Sequence, residues 1–321
     1  MSHAIAKILV ASVAVSLVLV GCGSSAEKSS TDKSDRGSRR RATTTSAPAT
    51  GDGSTTSPDA TQGSAPTADP VIAAAGDIAC PSPCTPTQTV ADMLVAGDFT
   101  AVLTLGDNQY EDGSLSEFKR SYDPTWGRVK DKTFPSPGNH DYHDRDGADY
   151  YSYFGSRAGP PGKGYYSYDI GTWHLLSLNS EANTAAQLGW VATDLAANHS
   201  RCTLAYWHKP IWTSGEKHRD DGKHMRPIWD ALAAGGADVV LNGHVHNYER
   251  FAPRDGIREF IVGTGGRDSH YAFAATARLS EVRDNSTDGL LSLTLHPAGY
   301  DWRFLPVPGG TFTDAGSGSC G

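Results

Sequence analysis

Short apolar runs that end in a glycine or a metal-ligand type of side chain recur along this chain, and they confine it to an open α/β class of fold. The runs are Val71 to Ala75, Ala101 to Leu105, Thr203 to Trp207, Val239 to Leu241 and Phe260 to Val262. Each is too short for a buried helix and is rich enough in β-branched and apolar residues for a strand. Between them lie amphipathic stretches with helix-start signals, the alternation expected of strands covered by helices. Thr85-Pro86-Thr87-Gln88 reads as a capping box with Pro at the first helical position. Val90, Met93 and Leu94 then share one face, and Gly97 stops the helix. Ser114 to Glu117 and Thr184 to Gln187 repeat the signature, and Tyr166 to Asn179 reads as a hairpin around Gly171. Leu290 to Leu295 and Trp302 to Leu305 read as later strands, and no internal repeat is present.

The turns leaving these runs hold the chemistry. Gly76-Asp77, Gly106-Asp107-Asn108-Gln109-Tyr110, Gly138-Asn139-His140-Asp141, Trp207-His208 and Gly243-His244-Val245-His246 each place a metal-type ligand where α/β folds gather their sites, at the carboxyl ends of strands. Taken singly, a Gly-Asp is a turn, Tyr110 is a packed aromatic and His208 is a core histidine. Gly-His-x-His says more, because a spacing of two throws both imidazoles to one side of an extended backbone. All of these pieces in one chain point to a metal centre.

Their order and wording resemble the calcineurin-like metallophosphoesterases, and within them the purple acid phosphatases. The likeness runs from about Val71 to Phe304 and includes Gly164 to Asp169, His208-Lys209-Pro210 and Asn247-Tyr248-Glu249-Arg250. It implies a four-layer αββα sandwich of two mixed sheets with two metal ions at one edge. In the family pattern Asp77 binds the first metal, Asp107 bridges, Asn139, His208 and His244 bind the second, and His246 returns to the first. Many relatives carry a histidine two residues after the first acid. Here that position is Ala79, where the purple enzymes carry a glycine, and Tyr110 fills the ligand vacancy as it does in them. A tyrosinate favours a hard trivalent ion, so the implied pair is Fe(III) with Fe(II), Zn(II) or Mn(II).

Two cations about 3.5 to 4 Å apart neutralise phosphoester oxygens and make water a nucleophile near neutral pH. The leaving group then needs a proton. His140 has no ligand role in the pattern and is expected to supply it, with Asp141 orienting the imidazole; the alternative is a hydrogen-bond donor without a catalytic proton. Lys217 and His218 stand where the family often has two adjacent histidines. They are read either as contacts to substrate phosphate or as part of a solvated basic loop with Arg219, Asp220, Asp221, Lys223 and His224. The expected activity is phosphomonoester hydrolysis. A phosphodiesterase or nucleotide hydrolase on the same site is the alternative, and a lipoprotein that binds metal or phosphate without turnover is the third reading.

The N-terminal part differs in kind. The apolar run Ile8 to Val20 follows Lys7 and ends in Leu19-Val20-Gly21-Cys22, which resembles a bacterial lipobox. Residues 1–22 are therefore expected to be a lipoprotein signal, with Cys22 lipidated and the protein anchored outside the cytoplasmic membrane. Residues 23–70 are Ser, Thr, Gly, Asp and Pro with few large apolar side chains, a composition that favours a disordered tether. Residues 71–321 form the expected catalytic domain. The first seventy residues hold six acids and seven bases, which leaves 30 acids against 21 bases in that domain, a formal charge of −9. Such a balance repels polyanions and argues against general nucleic-acid binding. Nothing in the chain points to a protein partner. Apart from Cys22 the cysteines are Cys80, Cys84, Cys202 and Cys320. An even count in an exported protein suggests disulfides. Of three pairings, Cys80 with Cys84 and Cys202 with Cys320 is favoured, the second pinning the Gly-rich C-terminus.

Overall fold

The computed structural model describes residues 68–182 and 184–321. The apolar run, Cys22 and the tether through residue 67 lie outside the described residues. In chain order the elements are β1 (Val71–Ala75), α1 (Thr85–Ala96), β2 (Ala101–Leu105), α2 (Leu115–Glu117), β3 (Thr133–Ser136), α3 (Ala148–Phe154), β4 (Tyr166–Ile170), β5 (Trp173–Ser177) and α4 (Thr184–Ala197). There follow β6 (Cys202–Tyr206), α5 (Arg226–Ala234), β7 (Val239–Asn242), β8 (Tyr248–Phe251), β9 (Arg258–Val262), β10 (Ser280–Asp284), β11 (Gly289–His296), β12 (Gly299–Pro306) and β13 (Ala315–Ser319).

Two mixed sheets result. The first runs β13-β12-β11-β1-β2-β3, with β1, β2 and β3 parallel and β11, β12 and β13 each antiparallel to its neighbour. The second runs β10-β8-β9-β7-β6-β5-β4, with β5, β6, β7 and β9 parallel at its centre. Period-two alternation assigns the faces. Leu175, Leu204, Leu241 and Phe260 join Ile72, Leu103, Leu291 and Leu293 in the core between the sheets. Their neighbours Leu176, Ala205 and Val240 pack instead against Val191 of α4 and Ile228, Trp229 and Leu232 of α5. Each such buried Leu or Phe contributes roughly 1.5–3 kcal/mol, so this alternation locks the register. The expected αββα sandwich of two mixed sheets is the fold observed.

Local differences have local causes. α1 begins after Cys84 rather than Thr85, and no side chain caps it. Cys84 is held by its disulfide to Cys80, and the Thr87 hydroxyl lies 3.0 Å from the carbonyls of Ile78 and Gly266, tying two loops together. The Ser114–Glu117 capping box forms, with Glu117 N–H on Ser114 Oγ and Ser114 N–H on a Glu117 carboxylate oxygen. Gln187 bonds the backbone of Asn179. Asp69 and Pro70, assigned to the tether by composition, already make defined contacts: Leu295 N–H donates to Pro70 O, and Asp69 pairs with His296. Cys202 and Cys320 form the second disulfide, tying the chain just after β13 of the first sheet to the start of β6 in the second.

Candidate metal centre

β1, β2, β3, β6 and β7 all discharge their C-terminal ends at one edge, and the turns there carry Asp77, Asp107, Asn139, His208, His244 and His246. Backbone hydrogen bonds weld these turns to each other: Asp77 N–H donates to Gly106 O, Ile78 N–H to Asp107 O and Gly243 N–H to His208 O. Two glycines are required by close approach. A Cβ on Gly138 would lie 2.3 Å from Asp107 N, and one on Gly243 2.8 Å from Asp77 Oδ2. Asp77, Asp107 and His244 hold left-handed backbone, with φ of 60°, 48° and 70°. Such conformations cost on the order of 1–3 kcal/mol each and persist where surrounding structure imposes them.

The side chains converge. The Tyr110 hydroxyl is 2.9 Å from Asp77 Oδ1, 2.9 Å from Asp107 Oδ2 and 3.1 Å from His246 Nε2. His246 Nε2 lies 3.3 Å from Asp77 Oδ1, and His208 Nε2 lies 3.2 Å from Asp107 Oδ2. His244 Nδ1 is 3.1 Å from His208 Nε2. Tyr110 reaches the centre because its N–H donates to Ala79 O, which lays the Asp107–Tyr110 turn alongside the Asp77 loop. Asp107, His208 and His244 by themselves form a buried set of ligand atoms within 4.8 Å of one another.

Electrostatics follow from that packing. Burial opposes ionisation of both carboxylates, yet His246 holds Asp77 and His208 holds Asp107 below the ordinary range. Burial works against a charge on His208, but Asp107 and Asp77 raise it to about 9. Burial and the neighbouring His208 depress His244 to about 3. Burial, then Asp107 and Asp77, pushes the Tyr110 phenol well up.

The donor set suits metal on two counts. Each imidazole has its outward nitrogen engaged, His208 Nδ1 with Leu105 O, His246 Nδ1 with Ser269 and His244 Nε2 with Asp221 Oδ2, so in the neutral form each would offer a cation the lone pair of its inward nitrogen. Asn139 Oδ1 is buried with no hydrogen-bond partner among the described residues, an oxygen that a cation would satisfy.

His140 sits at the mouth, its side chain 21% exposed. Nδ1 lies 2.5 Å from Glu111 O, and Nε2 is 3.9 Å from Asp107 Oδ2. Asp141 does not orient it. That carboxylate is fully buried and accepts from Asn108 N, Asn108 Nδ2, Gln109 N and Gly138 N, so it braces the Asp107 and Asn139 turns while Glu111 O holds the imidazole. Burial and Asp107 push Asp141 up to about 7 against the opposing donors of Gly138 and Asn108. His218 packs 4.2 Å from the His244 ring, and the Lys217 ammonium lies over the ring of Tyr271. Both therefore line the rim.

Sequence reading missed Arg267, Ser269 and Tyr271 at the centre, and it read Asp221 only as part of a solvated loop. Asp221 Oδ2 takes both His244 Nε2 and His218 Nδ1 at 2.9 Å. The Tyr271 ring stacks on His246 at 4.3 Å. The one available signal for Arg267, Ser269 and Tyr271 is their place just after β9, another parallel strand ending at this edge.

Two face-to-face mixed sheets with such a cluster at one edge define a metallophosphoesterase-type α/β protein. Residues 70–248 match the family model for the calcineurin-like phosphoesterases, and the chain belongs to that family. Membership implies a dinuclear metal centre. Among curated proteins the chain is 27% identical over 235 residues to purple acid phosphatase 21 of Arabidopsis thaliana, covering 62% of this chain and 52% of that one. It is 31% identical over 139 residues to purple acid phosphatase 22 of the same plant, covering 38% and 32%. The chain thus spans from about a third to about half of these relatives' length. The solved purple acid phosphatase PPD1 from yellow lupin seeds superposes with a TM-score of 0.66 at 17% identity, covering 78% of this chain and 53% of that chain.

Proposed function

We propose that this chain is a binuclear-metal phosphomonoesterase acting outside the cytoplasmic membrane. The observation that carries the reading is the way the ligand atoms divide. Asp77, Tyr110 and His246 touch one another at 2.9 to 3.3 Å, His208 and His244 meet at 3.1 Å, and Asp107 Oδ2 reaches both Tyr110 and His208. This division supports one metal on Asp77, Tyr110 and His246, a second on Asn139, His208 and His244, and Asp107 between them. When bound, the metals supply Lewis acidity and an activated water for attack on phosphorus. Tyr110 in the first set favours Fe(III) there, with Fe(II), Zn(II) or Mn(II) as its partner.

The chain's own residues do the rest. Asp221 holds His244 with Nδ1 inward, and Ser269 and Leu105 do the equivalent for His246 and His208. His140 donates Nδ1–H to Glu111 O and turns Nε2 toward the centre, 3.9 Å from Asp107 Oδ2, where it holds the proton for the departing oxygen. Lys217 at the rim adds local positive charge to a domain of net negative charge, with His218 beside it as a further contact. Export rests on the lipobox-like sequence at Cys22. Cys22→Ser should abolish a lipid label and release the protein from membranes, and a retained label would refute the anchor. For the activity, purified protein is assayed against monoester and diester panels with metal analysis on the same sample. Monoester turnover with two metals per chain is expected. Preference for diesters would move the assignment to a phosphodiesterase, and metal binding without turnover of any ester would leave a binding protein.

A further inference from the structure

We infer that Arg267 is a docking residue for a second anionic group on the substrate, so that the site prefers phosphate esters whose leaving group itself carries a carboxylate or phosphate. The inference rests on the proposed phosphoester hydrolysis and adds a substrate class to it.

Arg267 is placed with care. Its N–H donates to Asp77 O at 2.9 Å, which fixes the residue on the loop of a proposed metal ligand. Gly266 before it, at φ 122°, lies against α1 so closely that a Cβ would come within 2.5 Å of Thr87 Cα. The side chain is only 19% exposed, and its guanidinium lies 4.9 Å from the centre of the Tyr110 ring, whose hydroxyl touches both site carboxylates. A largely buried cation one aromatic ring from the ligand cluster is within reach of a second group carried by a phosphate bound there.

Its present partners are exchangeable. Nη2 meets Glu111 Oε1 at 2.7 Å across the mouth, and Nη1 bonds the adjacent Asp268. Both carboxylates are about half exposed, at 49% and 55%, and pairs of that kind are held weakly, by roughly 0–1 kcal/mol. Guanidinium offers five N–H donors in a fork that matches carboxylate or phosphate bidentately, so an incoming anion can replace Glu111 at little cost. Glu111 then acts as a placeholder. It keeps the guanidinium neutralised and aimed at the mouth, while its backbone carbonyl, which the exchange does not disturb, continues to hold His140.

The test uses binding rather than turnover. Methylphosphonate and phosphonoacetate, which share a phosphonate but differ by one carboxylate, are titrated calorimetrically into metal-loaded full-length protein, with metal content measured on each sample. Arg267→Gln should lower the phosphonoacetate to methylphosphonate affinity ratio about tenfold, and Glu111→Gln, which frees the guanidinium, should raise it. Arg267→Lys should recover part of the ratio. An unchanged ratio in Arg267→Gln, or a fall in Glu111→Gln, overturns the assignment. Failure of the wild-type protein to hydrolyse any ester, with the ratio behaving as expected, overturns the hydrolase reading and leaves the anion subsite standing.

Discussion

Asp221→Asn gives a quantitative handle on how the centre is built. In the structure one carboxylate oxygen accepts from His244 Nε2 and His218 Nδ1, both at 2.9 Å. That bond fixes the His244 tautomer, because a proton on Nε2 leaves the Nδ1 lone pair facing His208 and the proposed second metal. An amide has one accepting oxygen and a donating NH2. If the amine faces His244, the imidazole must carry its proton on Nδ1 and the ligand is lost. Partners of this kind are typically worth 10- to 100-fold in metal affinity. Asp221 is 44% exposed, which screens its charge and places the expectation near the lower end, about tenfold or about 1.4 kcal/mol. The assay is competition for metal against a chromogenic chelator, with total metal measured on the same protein. Asp220→Asn is the control: its carboxylate is 73% exposed and pairs with Lys223, so the change should stay under about twofold, in line with exposed pairs. Equal affinities in wild type and Asp221→Asn, or equal losses in both variants, would refute the tautomer argument.

His140→Ala should leave both metals in place and slow hydrolysis by roughly 10²- to 10⁴-fold, most for alkyl esters with poor leaving groups and least for activated aryl phosphates; equal rates to wild type on both classes would remove its proton-donor role. Tyr110→Phe should bleach a visible absorption band arising from phenolate on Fe(III), and an active, colourless wild-type protein without iron would exclude iron at that site. Removing the Cys202–Cys320 disulfide, which closes 118 residues, should cost about 5 kcal/mol by chain entropy, against about 2 kcal/mol for the Cys80–Cys84 bridge across four. Chemical denaturation of the two pairwise Cys→Ser variants checks the order, and a larger loss from the short bridge would contradict it.

Most of the proposed ligand residues were legible in the sequence because they stand in turns just after apolar strands, several of them behind a glycine that close packing demands, as at Gly138 and Gly243; Asn139 was read from its Gly-Asn-His-Asp motif, since β3 before it shows no such run. β1 and β2 follow the apolar runs to the residue. Strands that lack such runs escaped: Thr133–Ser136 contains a proline, Ser280–Asp284 alternates on a half-exposed edge, and Ala315–Ser319 is Gly and Ser. Asp141 was misjudged because adjacency to His140 suggested contact, whereas a short 3₁₀ turn over His140–Tyr142 sends the two side chains apart. Asp221 and Arg267 lie on loops with no periodicity, and only tertiary structure brings them to His244 and Tyr110.

In the proposed mechanism two metal ions share Asp107 and act together on one phosphate. Chelator-stripped protein, given metal back in measured steps, tests this directly through the rate of phosphomonoester hydrolysis plotted against metal bound per chain. Little activity is expected through the first equivalent, a steep rise across the second and a plateau at two. Activity that reaches its plateau at one equivalent, or that persists in the stripped protein, would contradict that mechanism.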